Sequence, residues 1–232
     1  MIHQPALSRR LCAEAFGTFC LVFAGTGAVI VNEVTGGGVT HVGVALTFGL
    51  VVMALVHALG SVSGCHINPA VTLGLCAAGR FSRTLVMPYI VSQCVGAFLA
   101  SCTLRVLFPE SRVLGATIPA GSDFQSFVLE FVLTLILMVV ILSITVGASA
   151  EKLLAGITIG GVIGFEALFA GPISGASMNP VRSLAPAVVA MQFEHVWIYI
   201  VAPIAGALAA VPLCRCIHSS PCSSSSKIGG CS

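Results

Sequence analysis

The chain has 232 residues, 57% of them hydrophobic and 8% charged, with ten basic and eight acidic side chains and a formal net charge of +2. A soluble domain carries about a quarter of its residues as charges, and so few could not clothe a water-soluble globule of this size. A cytosolic enzyme, a nucleic-acid binder and a disordered chain are therefore excluded, and the small net charge asks for no polyanionic partner.

A hydrocarbon core needs about 20 apolar residues as helix. On that measure six full spans are predicted, at about 11–31, 41–60, 84–107, 126–148, 153–171 and 195–217. The first is too long for the core of a signal peptide and lacks a cleavage site. Two apolar segments are left over, Pro69–Ala78 and Pro180–Ala190, each about half a membrane long. The first lies inside a charge-free run from Val34 to Gly79 that loop residues break at Gly60-Ser61 and again at His66 to Pro69. One full span and one half-span fit there; two full spans do not. A short helix that turns back within lipid must hide its irregular backbone in protein or against a watery cavity, which points to a pore.

Six spans put both termini on one side of the membrane. Arg9, Arg10, Arg80, Arg83, Lys152, Arg215 and Lys227 then share that side, while Arg105, Arg112 and Arg182 do not. This bias predicts cytoplasmic termini.

The chain repeats itself. Ser63 to Ala70 aligns with Ser174 to Val181, and Tyr89 to Ala100 with Tyr199 to Ala210. Near the start of each half stands Glu-x-x-x-Thr, as Glu14 with Thr18 and as Glu130 with Thr134. Three crossings per half reverse direction, so the second repeat inserts upside down relative to the first. The predicted organisation is a terminal segment at 1–10, a channel domain at 11–217 with repeats at about 11–107 and 126–217, and a flexible tail at 218–232.

Proline at a first helical position costs no hydrogen bond, and asparagine is a favoured N-cap. Pro69 and Pro180 thus start helices that Asn68 and Asn179 cap. For one Asn-Pro pair capping would be the whole account. Two pairs at repeat-equivalent positions set two positive helix ends face to face near the membrane midplane. Each asparagine would offer amide hydrogens to the oxygen of a passing water or hydroxyl compound. A cation would meet two positive ends, and a water wire would have to reverse its polarity there. Arg182, three residues past Asn179, is costly in lipid and so a candidate functional group. It would repel cations and donate to a neutral permeant; the alternative is an arginine paired with a buried carboxylate.

With SGCHINPAVTLG, SGASMNPVRSLAPA and AEAFGTF, the chain resembles the aquaporin, or major intrinsic protein, family over residues 11–217. The approach FAGPISGASMNP is most similar to plant nodulin-like intrinsic proteins and their bacterial relatives, which carry glycerol, urea and undissociated metalloid acids as well as water. The resemblance implies an all-α membrane fold of six spans and two re-entrant half-helices. It also implies a homotetramer in the plasma (inner) membrane, with one pore per subunit. It makes Asn68, Pro69, Ala70, Asn179, Pro180 and Val181 the pore motifs, and Phe48, Ala167, Ala176 and Arg182 the outer constriction. Glu14 and Glu130 would support the half-helices by accepting hydrogen bonds from loop backbone. Water-selective members carry histidine where Ala167 stands, so two alanines opposite Phe48 and Arg182 imply a wider opening.

Several positions depart from the pattern. Val181 replaces alanine in the second motif, and its added methyls would narrow the midplane slightly. Ser183 follows the arginine where glycerol facilitators carry aspartate, which weakens a glycerol-specialist reading. Ala176 stands where some water channels carry a mercury-sensitive cysteine. Cys65, beside the pore-adjacent candidate His66, is expected to be a small buried hydrophobe. Glu166, next to Ala167, has three readings: a structural pair near the pore, a proton-linked gate, or a position nearer the interface.

Cysteine is plentiful, but Cys20, Cys65, Cys76, Cys94, Cys102 and Cys214 lie in apolar stretches, so no disulfide framework is predicted. The tail group Cys214, Cys216, His218, Cys222 and Cys231 contains no Cys-x-x-Cys pair, and neither a metal site nor a cofactor is expected. Soft-metal binding and lipidation of Cys214 or Cys216 remain alternatives for it. The run Ser223–Ser226 belongs to the flexible end. Small residues within spans, among them Gly17, Gly25, Gly27, Gly96, Ala97, Gly206 and Ala207, predict close helix approach.

Three function classes compete. A passive channel for water and small neutral solutes such as glycerol, urea or arsenous acid accounts for the half-spans, the paired Asn-Pro and the lone arginine together. The alternative is a proton-linked secondary transporter, for which Glu166 is the one uncommitted acid. An intramembrane enzyme would need a nucleophile–base pair or a metal cluster, and the chain holds no His-Glu-x-x-His, paired aspartate or Gly-x-Ser-x-Gly.

Overall fold

The computed structural model describes residues 5–146 and 154–218, and within them the chain is all-α with no strand. Lys152, Lys227, Cys222, Cys231, Ser223–Ser226 and positions 147–148 of the expected fourth span lie outside the described residues. Eight helices follow in chain order among the described residues: α1 (Leu7–Val34), α2 (Thr40–Ser63), α3 (Pro69–Ala77), α4 (Arg83–Leu107), α5 (Asp123–Val146), α6 (Ala155–Ser174), α7 (Pro180–Val189) and α8 (Val196–Ile217). Six of them are long and apolar enough to cross a membrane. The other two, α3 and α7, have 9 and 10 residues. At a rise of about 1.5 Å per residue they reach roughly halfway through a hydrocarbon core.

The first two full spans run longer than the hydropathy pattern predicts. α1 begins a turn before residue 11, and α2 continues through Gly60 and Ser61, where a loop is expected. A helical glycine costs only about 1 kcal/mol relative to alanine, and the helix absorbs it. What stops α2 is Gly64, in the left-handed region at φ 90, whose N–H returns to the Gly60 carbonyl. α6 ends the same way at Gly175, φ 86, bonded to the Gly171 carbonyl. The same geometric stop in both repeats aims each chain back into the membrane.

α1 packs on α2 and α4, α5 packs on α6 and α8, and α2 against α6 joins the two halves. Each half-helix leans most on the third span of the opposite repeat, α3 on α8 and α7 on α4. Close approach permits this. A Cβ on Gly96 would fall 2.0 Å from the Ala15 carbonyl oxygen, and one on Gly206 would fall 2.2 Å from that of Phe131. The two contacts are repeat mates. Polarity is inverted relative to a soluble bundle: Leu50, Val95, Val132, Phe165 and Val201 face outward, while Glu14, Gln93, Glu130, Thr134 and Glu166 are buried.

Gly96→Ala and Gly206→Ala force backbone against backbone, so each should cost about 1–3 kcal/mol by overpacking. Thermal unfolding of the detergent-purified protein measures this as a lowered midpoint. Gly161→Ala is the control: a Cβ there meets nothing within 4 Å, so its midpoint should hold or rise slightly.

Candidate functional site

The two Asn-Pro segments fold as capping chemistry dictates. Asn68 is extended at φ −157, and its Oδ1 accepts from Ala70 N at 2.9 Å. Asn179, at φ −146, accepts from Val181 N at 3.2 Å and from Arg182 N at 3.4 Å. The amide nitrogens then cross between repeats. Asn68 Nδ2 donates to the Met178 carbonyl at 2.7 Å, and Asn179 Nδ2 donates to the Ile67 carbonyl at 2.9 Å. The half-helices therefore meet tip to tip, tied reciprocally. One amide hydrogen of each asparagine is spent on the tie, which leaves the second for any solute alongside.

The loops leading to these asparagines are held by the two buried glutamates. Glu14 accepts Ser63 Oγ at 2.7 Å and His66 N at 2.9 Å on Oε1, and Ile67 N at 2.7 Å on Oε2. Glu130 accepts Ser174 Oγ at 2.8 Å and Ser177 N at 2.9 Å on Oε1, and Met178 N at 2.8 Å on Oε2. Both carboxyl groups are fully buried. Non-glycine residues in each loop take positive φ, at Cys65 (49), Ile67 (43), Ala176 (42) and Met178 (53). Such conformations cost about 1 kcal/mol or more each. They turn amides toward the carboxylate, where charge-assisted bonds return about 1.5–3 kcal/mol apiece.

A cavity of about 1380 Å³ runs along this junction, and Phe48, His66, Asn68, Ala176, Asn179 and Arg182 are among its lining. Arg182 is 3% exposed, and its Nη1 donates to the Gly115 carbonyl at 2.9 Å. Its guanidinium carbon lies 5.0 Å from the Phe48 ring centroid, a cation–π distance. Its Nε has no hydrogen-bond partner, and it joins none of the ion pairs among the described residues. The guanidinium is thus anchored by a backbone carbonyl, with no ion pair to Glu130 among the described residues. Gly25 makes room for Phe48, because a Cβ there would sit 2.1 Å from the ring.

Other expected residues sit elsewhere. Ala167 is buried in the core cluster that also holds Ala170 and Ala176, and it is not part of the cavity lining. Val181 packs with Val22, Ala97 and Ala100, so its methyls are taken up by α1 and α4 and not by the cavity. Ala70 is fully buried in the core, beside Pro69; Pro180 is buried at the head of α7. Cys65 is buried as expected but also lines the cavity. His66 lines it too, its Nδ1 3.1 Å from Thr72 Oγ1 and its ring packed against Phe81 and Tyr89. Glu166 is fully buried, outside the lining, with no hydrogen bond to either oxygen.

Sequence reasoning missed several contributors. Gln93 donates to Glu14 Oε2 at 2.8 Å, and its place in the repeated Tyr-Ile-Val segment was a usable signal. Ser183, Thr117 and Ser177 form a chain, Thr117 Oγ1 to Ser183 Oγ at 2.8 Å and Ser177 Oγ to Ser183 Oγ at 2.5 Å. The loop between α4 and α5, which supplies Gly115 and Thr117, carried no local signal.

A model of the family described as Major intrinsic protein matches residues 1–213. Aquaporin NIP1-1 of Oryza sativa subsp. japonica is 48% identical over 202 residues, covering 87% of this chain and 71% of that protein. Nodulin-26 of Glycine max is 42% identical over 210 residues, covering 90% of this chain and 77% of that protein. The X-ray structure of the aquaglyceroporin from Plasmodium falciparum matches the fold at a TM-score of 0.83 with 24% identity, over 92% of this chain and 98% of that one. The chain belongs to the major intrinsic protein family and is an integral, multi-pass membrane protein.

Glu14→Ala strands the loop donors His66 N and Ile67 N together with Ser63 Oγ and Gln93 Nε2, and Glu130→Ala strands Ser174 Oγ, Ser177 N and Met178 N. At about 1–3 kcal/mol per unmet buried donor, each change should cost at least ~3 kcal/mol. Thermal unfolding in detergent checks this; an unchanged midpoint would show that the loops stand without the carboxylates.

Proposed function

We propose that this member of the major intrinsic protein family is a passive channel that passes water and small neutral solutes larger than water, among them glycerol, urea and metalloid acids such as arsenous acid. The observation that carries the reading is the reciprocal tie of Asn68 and Asn179 across the junction of two half-helices, on the wall of a cavity that Arg182 also lines. Opposed helix ends hold positive potential where they meet, so a cation entering there loses hydration without compensation. A neutral solute presents an oxygen to the remaining amide hydrogens and to the guanidinium. Protons are refused because the wire of water molecules must invert at the asparagines. The names of the relatives, aquaporin and aquaglyceroporin, support a conduit for water and small solutes.

Phe48, Ala176 and Arg182 form the constriction in this reading. Ala167 acts beneath it, as a residue too short to reach the cavity and so one that leaves the opening wide. Glu166 is not among the residues that line the cavity, which favours the channel over a proton-coupled transporter. The protein works as a homotetramer with a pore in every subunit, in the plasma (inner) membrane, with both termini cytoplasmic. The lysine and arginine bias supports that orientation.

Purified protein in liposomes should accelerate osmotic water movement and admit at least one of glycerol, urea or arsenous acid, with no requirement for a proton gradient. Stopped-flow swelling with that panel checks it; uptake that needs the gradient overturns the channel reading. Ala167→His should push an imidazole into the opening. Glycerol flux would then fall by roughly tenfold while water falls by less than about threefold, and equal loss of both would misplace the constriction.

A further inference from the structure

The two repeats each build the tip of their half-helix around one buried hydroxyl. In the first it is Thr72, which donates to the Asn68 carbonyl at 3.0 Å, lies 3.1 Å from His66 Nδ1 and accepts Gln93 Nε2 at 3.1 Å. In the second, 111 positions on, it is Ser183. Ser177 stands where His66 does in the first; its Oγ lies 2.5 Å from that of Ser183 and donates to the Asn179 carbonyl at 2.9 Å. The donor from the third span is what the second repeat lacks. Pro203 aligns with Gln93, and its side chain has no hydrogen to give.

That place is filled from outside the repeat. Thr117, in the loop between α4 and α5, donates its hydroxyl hydrogen to Ser183 Oγ at 2.8 Å. Counting hydrogens fixes the direction of the chain, because each hydroxyl has one to give. Ser177 spends its own on the Asn179 carbonyl, so Ser183 donates the bond between the two serines and receives Thr117 in turn. The chain runs one way, from Thr117 through Ser183 and Ser177 to Asn179, the residue whose amide ties the second tip to the first.

The loop that carries Thr117 is itself fixed on several sides. Leu114 is fully buried in a cluster with Ile30 and Leu104. Gly115 is left-handed at φ 65, and a Cβ there would meet the Thr26 carbonyl oxygen at 2.9 Å. Ala120 N donates to the Ile173 carbonyl at 2.9 Å. A Cβ on Gly175 would fall 2.8 Å from Thr117 Cγ2, so the threonine is wedged against the loop that leads to Asn179. Two residues before Thr117, the Gly115 carbonyl receives Arg182 Nη1. One loop thus grips the α7 tip twice, by a carbonyl at the guanidinium and by a hydroxyl at Ser183. Arg182 and Ser177, the pore-side ends of the two grips, both line the cavity.

We propose that Thr117 takes the part of Gln93 in the second repeat and is a specificity-determining positioning residue, its hydroxyl holding Ser177, Asn179 and the loop that restrains Arg182 in the register that sets which solutes pass. The inference rests on the channel reading and adds to it a loop residue that does not touch the permeant.

Full-length protein in liposomes tests this with five forms: wild type, Thr117→Ser, Thr117→Val, Ser183→Ala, and Thr117→Val combined with Ser183→Ala. Serine keeps the hydroxyl; valine keeps the shape and removes it. The glycerol-to-water permeability ratio should fall by roughly threefold to fivefold in Thr117→Val, as the released guanidinium swings into the opening, and stay within about 1.5-fold of wild type in Thr117→Ser. Ser183→Ala should lower the ratio at least as far. Adding Thr117→Val to it should change the ratio by less than about 1.5-fold, because the threonine hydroxyl then has no serine to receive it. A wild-type ratio in Thr117→Val, losses that multiply in the double variant, or a Thr117→Ser that behaves like Thr117→Val would each overturn the proposal. If Thr117→Val fails to fold, Thr117→Ala lacks the same hydroxyl and takes its place in every comparison. If wild type passes water but no glycerol, the same comparisons are read on water permeability. A wild type that speeds neither overturns the channel reading and this proposal with it, whereas a conducting wild type with an indifferent Thr117→Val overturns this proposal alone.

Discussion

A loop halfway through a hydrocarbon slab has amides with no helix to receive them, and everything else in this fold depends on where those amides go. Here they go to carboxylates. Glu14 takes the N–H groups of His66 and Ile67, and Glu130 takes those of Ser177 and Met178. Turning the amides inward requires left-handed backbone at residues with side chains, and it turns the carbonyls of Ile67 and Met178 the other way. Those two carbonyls are the ones that the opposing asparagines bind. One buried charge per repeat thus fixes the loop conformation, the aim of the helix tip and the acceptor for the partner tip.

Much of this was legible in the sequence because the signals are local or repeated. Hydropathy finds the six spans, Asn-Pro marks the two caps, and duplication pairs the segments. The ends of α2 and α6 were less legible, because Gly60 reads as a loop residue while the true stop is the positive φ at Gly64. The family resemblance placed Val181 and Ala167 by motif and by position along the chain. Spacing fixes a position along a helix; it does not say which neighbour receives the side chain, and the core around Val22 and Ala97 takes Val181 while that around Ala170 takes Ala167. The carbonyl that anchors Arg182 was illegible for a deeper reason. Any loop residue has a carbonyl, and Gly115 is brought to the arginine only by the complete fold.

The halves also differ chemically where their backbones agree. In the first, Tyr89 donates to the Ser63 carbonyl and receives Arg10, so its network continues to the α1 terminus. The second replaces glutamine with Pro203, leucine with Glu166, and carries Arg182 on its half-helix. The two repeats share a scaffold, and the residues that make one face of the junction unlike the other differ between them.

The exchange of half-helices has a consequence for how the chain is made. Translation proceeds at about 5–20 residues per second and domains tend to fold from the N-terminal end. α3 leaves the ribosome long before α8, yet α8 is the helix it leans on most. Until then its polar tip has no Met178 carbonyl to bind. The contacts of α3 with α8 and with the Met178 carbonyl can therefore form only after most of the second half has been made.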